Sequence, residues 1–409
     1  MAECVLCGCC LEGCPLLAAT GREELSPRAK ALLAGPSKWS AGGAELPEAD
    51  VAALTGLCLA CGRCEKLCPQ GVKVPELMAA MRAGHPQFRQ WLWGQWVTRL
   101  RPAWPLAARA ANLAPEALIP ANFGLALKGL RGLAAGSSMA RWLEIVDFPA
   151  RAFAETWGGH KVAVFDGCVG GGPRRDWGGT ARRLLAGLQA ETLSEAAAPK
   201  FSCCGSTLGV AGLPEEQAQV RRVNVAAWRE AGRPLLVTYC ATCRKGLAQY
   251  AQTPELFADE VEAAAWRAAV TPLAALLKGA RAKAKKGAPP AVGYHQPCHA
   301  ALPKELGGAL AGQGDADQAL LSDLLGSRLR VPAKSACCGF GGIMQLGAPD
   351  LCESVAGRCW SNLEAKLGFS AAPDVAPGHV LTGCSGCVMQ LSATAPAGVR
   401  VGHWLDVIA

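Results

Sequence analysis

The chain has 409 residues, a formal net charge of +8 and 21 cysteines. That length allows two or three domains, each with its own core. An odd number of cysteines excludes complete pairing within one chain. Ligand-spaced cysteines begin at position 4 with no apolar segment before them, which argues against a secreted disulfide scaffold and for thiols kept reduced in a cytoplasm as metal ligands.

Residues 4–15 read CVLCGCCLEGCP, and residues 58–69 read CLACGRCEKLCP. Both contain C-x2-C-x2-C-x3-C-P, the ferredoxin run in which three cysteines hold one [4Fe-4S] cluster and the fourth reaches across to the other. By that rule Cys4, Cys7, Cys10 and Cys68 hold one cubane, and Cys58, Cys61, Cys64 and Cys14 hold the second. Zinc also uses C-x2-C pairs, but its sites do not require a third cysteine at the same spacing and a Cys-Pro close, twice over. Cys9, between two ligands, is read as a spare small residue.

Residues 1–84 form the expected two-cluster ferredoxin domain, and residues 85–159, free of cysteine, an expected helical connector. The connector includes FRQWLWGQWVTRLRPAWPLAARAANLAP, and six of the twelve tryptophans lie between Trp91 and Trp157. Trp beside Arg on an amphipathic helix fits a membrane interface as well as a packing face, and both readings stay open.

Beyond the connector, HKVAVFDGC (160–168) and PLLVTYC (234–240) read as buried strands ending on cysteines, with helical patterns such as EEQAQVRRVNVAAWREAG between them. AVGYHQPC (291–298) and HVLTGC (379–384) repeat the plan, an internal duplication with a period of roughly 130–145 residues. The expected units are a first α/β domain at 160–277, a basic linker at 278–290 and a second α/β domain at 291–409. The fold class is α+β multidomain. The linker KGARAKAKKGAPP is read as solvated, and no interleaving of aromatic and basic residues argues for nucleic acid. The longest stretch without Asp, Glu, Lys or Arg, Val375 to Val399, is broken by Gly and Pro, so any membrane contact is peripheral, on the inner face of the cell membrane.

Each half carries five cysteines in one order: Cys168, Cys203, Cys204, Cys240 and Cys243, then Cys298, Cys337, Cys338, Cys384 and Cys387. Five ligands are one more than a cubane needs. Adjacent cysteines diverge, so a Cys-Cys pair suits a larger cluster better than one compact tetrahedral ion. Cys352 and Cys359, seven apart in CESVAGRC, are read as buried small residues. His295 and His299 flank Cys298; hydrogen bonding to a cluster, proton movement and plain turn packing are all open to them. No dinucleotide fingerprint follows GCVGGGPRRDWGG, and no P-loop lysine motif occurs.

SCCGSTLG and ACCGFGGIMQ resemble the cysteine-rich CCG domains. Two ferredoxin motifs followed by two such domains resemble the iron-sulfur subunit of glycolate oxidase and related D-lactate dehydrogenases, and the catalytic subunit of membrane-linked heterodisulfide reductase. The 43 residues between Cys14 and Cys58 look like the insert of the α-helical ferredoxin domains of succinate dehydrogenase iron-sulfur subunits. The resemblance covers nearly the whole chain, and CVLCGCCLEGCPLL, SPRAKALLAG and CCGFGG lean towards the glycolate and lactate group. It implies an electron-transfer subunit that relays electrons from a separate FAD-binding 2-hydroxyacid oxidase to a quinone or another membrane carrier. Alternatively, because YCATC and GCSGC are both complete, as in heterodisulfide reductases, it implies a disulfide reductase with a non-cubane [4Fe-4S] centre in a CCG domain. An iron-sulfur scaffold without turnover is the third reading. Clusters in one or both CCG domains are expected beside the two cubanes, and no catalytic residue is assigned.

Overall fold

The computed structural model describes residues 4–34, 46–113, 121–134, 139–194, 198–302, 306, 314–367 and 378–409. Its nine described strands are β1 (Leu143–Asp147), β2 (Val162–Val164), β3 (Leu235–Thr238), β4 (Val270–Pro272), β5 (Arg281–Ala284), β6 (Val292–His295), β7 (Leu329–Arg330), β8 (Gly378–Thr382) and β9 (Val399–His403). β2, β3 and β4 form one parallel sheet in that order, and β7, β6, β8 and β9 form a second, also parallel. An isolated bridge from Thr192 to Val162 occupies in the first sheet the place that β7 takes in the second. The two sheets therefore share one topology, as the repeated motif spacing requires. β2 and β3 are buried along their whole length, as expected of short apolar strands covered by helices on both faces.

Residues 15–84 fold into short helices, Pro15–Thr20, Pro27–Leu33, Glu48–Gly56, Arg63–Lys66 and Val74–Gly84. Proline opens the first two, and Ser26 caps the second by accepting from the Ala29 N–H at 3.1 Å. The connector is helical at Phe88–Thr98, Trp104–Leu113 and Ala121–Arg131. It then departs from the expected all-helical plan: β1 leaves it and pairs antiparallel with β5, which lies inside the basic segment 278–290. Arg281 of that segment bonds Asp147 at 2.6 and 2.9 Å, so the run read as a solvated linker contains an ordered strand.

Apolar packing joins the units, and directional bonds add to it. Buried Arg82 donates to four backbone carbonyls: Thr55 (2.9 Å), Gly56 (3.0 Å), Cys58 (2.9 Å) and Val210 (2.6 Å). Gly212, at φ +77°, lets the chain pass it, since a Cβ there would lie 2.6 Å from the Arg82 Cβ. Arg63 bonds the Ser335 carbonyl and hydroxyl at 2.8 and 2.9 Å, tying the N-terminal helices to the second half. The halves themselves interlock. Ala241 N–H donates to Gly383 O at 2.9 Å, His403 Nε2 meets Tyr239 O at 2.9 Å, and a buried Arg174–Asp406 ion pair is joined by Trp177 Nε1 at 2.7 Å.

Truncating Arg82 strands carbonyls that water does not reach. Arg82→Ala is expected to cost on the order of 3 kcal/mol, because bonds from a charged donor are lost and buried acceptors are left unpaired. Arg151→Ala, which removes only an exposed pair with Glu155 four residues on, should cost about 0.5 kcal/mol or less. Urea midpoints of the two variants, measured anaerobically, check the difference; equal midpoints would contradict this account of the joint.

Candidate metal centres

The N-terminal cysteines sort into two groups in space. The charges felt at Cys10 come from Cys4, Cys68 and Cys7, whereas those at Cys64 come from Cys61, Cys58 and Cys14. Cys68 thus neighbours the first run and Cys14 the second. Backbone N–H groups point at the sulfurs, Ala60 to Cys58 and Val72 to Cys68, each at 3.4 Å. Cys9 is exposed beside Cys7, at the edge of the first group. Burial, with Cys298 nearby, pushes the Cys61 thiol up to about 12.

In both halves the cysteines sit at carboxyl ends of parallel strands, where ligand sites of such sheets form. Cys168 follows β2 and Cys298 follows β6, while Cys240 and Cys384 cap the helices Ala241–Ala248 and Ser385–Ala393 that leave β3 and β8. The adjacent pairs are held alike: Gly205 N–H reaches Cys203 Sγ and Gly339 N–H reaches Cys337 Sγ, both at 3.4 Å. Gly205 lies at φ +76° and Gly339 at +85°, and a Cβ on Gly339 would strike the Cys352 backbone.

The ten cysteines do not form two separate nests. All line a single cavity of about 460 Å³, with Cys61 of the N-terminal group at its edge. Thiol hydrogen bonding runs from Cys168 to Cys203, Cys204, Cys243 and Cys240, crosses to Cys384, and continues through Cys387 and Cys338 to Cys337. At the crossing, Thr242 Oγ1 lies 3.2 Å from Cys384 Sγ and Ser385 Oγ 3.4 Å from Cys240 Sγ. The connector contributes Trp93, Trp96, Leu100, Trp104 and Phe123 to the lining, and Leu100 and Phe123 are also exposed to solvent. No Lys, Arg, Asp or Glu is among the lining residues.

Hydrogen bonding among the thiols, and then burial, push Cys203, Cys204, Cys243, Cys337, Cys384 and Cys387 above the ordinary thiol range. Cys240 and Cys338 go the other way, because neighbouring thiols donate to them. Burial works against charge on His295, yet the adjacent Cys359 and Cys338 outweigh it and raise the ring to about 10. A wall of reduced sulfurs that excludes further anions and favours a cation is the donor chemistry that iron-sulfur clusters require; the residues fit such a group. His299 differs: burial and Lys245 keep it well below its usual range, hence neutral, with Nδ1 3.3 Å from Thr242 Oγ1.

The spacing of the motifs located these cysteines but did not reveal that both halves face one cavity. Nor did it reveal the tryptophan lining, although Trp93 and Trp96, three apart on a helix, carried the periodic signal of a shared face. Cys352 and Cys359 are buried in the helix Pro349–Leu367, and Cys359 Sγ also lies 3.4 Å from His295 Nδ1.

A 4Fe-4S dicluster domain matches residues 1–72, and the cysteine-rich domain CCG matches residues 162–248 and 292–392. The chain is 26% identical to a dihydromethanophenazine:CoB–CoM heterodisulfide reductase subunit of Methanosarcina mazei, over 87% of this chain and 81% of that one. It is 24% identical to the "Probable glycolate oxidase iron-sulfur subunit" of Bacillus subtilis, over 96% and 88%. It is also 24% identical to the "Glycolate oxidase iron-sulfur subunit" of Escherichia coli, over 100% and 93%. No solved structure matches it significantly. The sulfur groups, the order of the domains and these relatives together make the chain an iron-sulfur electron-transfer protein with a 4Fe-4S dicluster domain and two CCG domains, distantly homologous to glycolate oxidase iron-sulfur subunits and to the matching heterodisulfide reductase subunits.

Proposed function

We propose that the chain is the iron-sulfur subunit of an FAD-dependent 2-hydroxyacid (glycolate or D-lactate) oxidoreductase, relaying electrons from a flavoprotein to a quinone or another membrane carrier. In this reading Cys4, Cys7, Cys10 and Cys68 hold one [4Fe-4S] cubane and Cys58, Cys61, Cys64 and Cys14 a second. Cys168, Cys203, Cys204, Cys240 and Cys243 hold a further cluster, as do Cys298, Cys337, Cys338, Cys384 and Cys387. Clusters bound there supply one-electron transfer.

The observation that carries the reading is the continuity of the sulfur groups. Cys61 of the second N-terminal set bears on Cys298, and Cys337 on Cys61 and Cys298, while Cys240 and Cys384 link the two halves. A chain built to pass single electrons needs such short steps, and a chain built to bind one substrate does not. The protein's own groups shape the relay: the connector tryptophans line the cavity beside the sulfurs, and the Gly205 and Gly339 N–H groups bond to the Cys203 and Cys337 sulfurs. The uncharged lining supports a lipophilic partner better than an anionic hydroxyacid, whose carboxylate would find no cation there. No helix among the described residues is long and apolar enough to cross a membrane. Phe88, Trp91, Leu106 and Leu113 are exposed on the connector beside exposed Arg99 and Arg109, which fits peripheral contact with a membrane carrier. The second reading, a disulfide reductase working in the second half, is favoured by the two complete C-x2-C closes and by the heterodisulfide reductase relatives.

Two measurements test these assignments. With all four centres filled, the anaerobic protein should carry roughly 16 irons, and Cys337→Ala, Cys338→Ala should remove roughly four of them, counting four per [4Fe-4S] centre; unchanged iron would end the claim for the second half. The isolated chain should not oxidise a 2-hydroxyacid, since removal of a hydride needs a two-electron acceptor. An FAD protein recovered with it from the native cell should make its visible absorbance bleach on addition of glycolate or D-lactate. Reduction of a thiol disulfide by the chain and an artificial donor, abolished by Cys384→Ser or Cys387→Ser, would replace the relay with the reductase.

A further inference from the structure

The two cysteine sets match in number and order, but their surroundings do not. Three residues before Cys298, at the end of β6, stands His295; three residues before Cys168, beyond the end of β2, stands Phe165. Phe165 is buried and packs on the Phe201 ring with centroids 5.2 Å apart, a wholly apolar contact. His295 is only 4% exposed, and its Nε2 makes no bond of ordinary hydrogen-bond geometry, although the ring lies beside Cys338. Its Nδ1 faces Cys359 Sγ at 3.4 Å. Ten residues into the corresponding helix of the first half, which begins at Pro214 as this one begins at Pro349, Asn224 stands where Cys359 does. Asn224 is consumed by its own surroundings, bonding Ser202 N, Cys203 O and Tyr250 Oη at 2.7–2.9 Å.

A buried ring nitrogen without a well-made bond is costly, so its retention calls for a closer partner. The candidates are close at hand. A ring nitrogen of His295, Cys338 Sγ and Cys387 Sγ all lie within 4.8 Å of one another, and all three residues are buried. Donors around one tetrahedral ion with bonds of ~2.0–2.3 Å lie roughly 3.5–3.8 Å apart, so a contraction of about an ångström closes this triad on a metal. Cys359 holds the ring from the other side, in the way that an outer partner fixes a metal-bound histidine.

We propose that His295 supplies a nitrogen ligand to the metal centre of the second half, on the same iron as Cys338 and Cys387. The proposal rests on the reading of that half as cluster-binding. It makes the two centres chemically unlike: the first is all thiolate, and the second mixes nitrogen and sulfur.

The test uses the anaerobic holoprotein grown with 15N-histidine. The signal of the second centre is identified as the one lost in Cys337→Ala, Cys338→Ala, and pulsed EPR then measures its nitrogen coupling. The expected result is a strong coupling that changes with the isotope, disappears in His295→Phe and persists in Phe165→Leu. The labelled wild-type spectrum decides the matter even where His295→Phe fails to assemble. A coupling no stronger than that of hydrogen-bonded nitrogen, with iron still falling in the double cysteine variant, overturns the ligand and leaves the cluster reading standing. Iron and signals unchanged by the double cysteine variant overturn both.

Discussion

Ten thiols meet on one cavity wall, and sulfurs at that separation can all be ionised only around positive charge. Much of the architecture serves this meeting. Parallel strands bring the cysteines to one edge of each sheet, the short turns at Gly205 and Gly339 let the backbone come close to them, and the two sheets are placed so that the edges face each other. Without a cation, the same wall is a set of buried groups that repel charge from one another, which leaves the protein dependent on its metal for more than redox chemistry.

The joints follow from that placement. Each sheet would be a common α/β layer by itself, but the cysteine edges face each other across one cavity, at a separation that the joints must fix. Hydrophobic packing sets such a distance loosely. Directional bonds set it more tightly: Ala241 to Gly383, His403 to Tyr239, and Asp406 to both Arg174 and Trp177. Arg82 and Arg63 do the same for the N-terminal helices, and both reach backbone carbonyls of other units. Guanidinium groups suit the task, since each offers several donors in a fixed plane.

Much of this was legible in the sequence. Cysteine spacing is short-range information, and it gave the two N-terminal groups and the order of five in each half. Strands such as LLVT and helices such as Pro214–Glu230 announced themselves by apolar runs and period. What the sequence could not show depends on contacts between distant residues. The pairing of Leu143–Asp147 with Arg281–Ala284 places a strand within a basic run that reads locally as solvent-facing, because pairing needs only the backbone. The merging of two thiol sets into one cavity rests on contacts about 145 residues apart, such as Cys240 to Ser385. Cys359 read as filler because its neighbour of consequence, His295, is 64 residues away.

The segment from β9 to Ala409 belongs to the second half by sequence, yet much of its bonding is to the connector and the first half. Asp406 serves Arg174 and Trp177, Val407 O accepts from Trp142 and Leu143, and Ala409 N–H donates to Leu143 O. During translation Arg174 precedes its partner by 232 positions, which at ~5–20 residues per second is an interval on the order of 10–50 s. Until then the first half lacks these contacts, so its final packing waits on residues made long after its own strands.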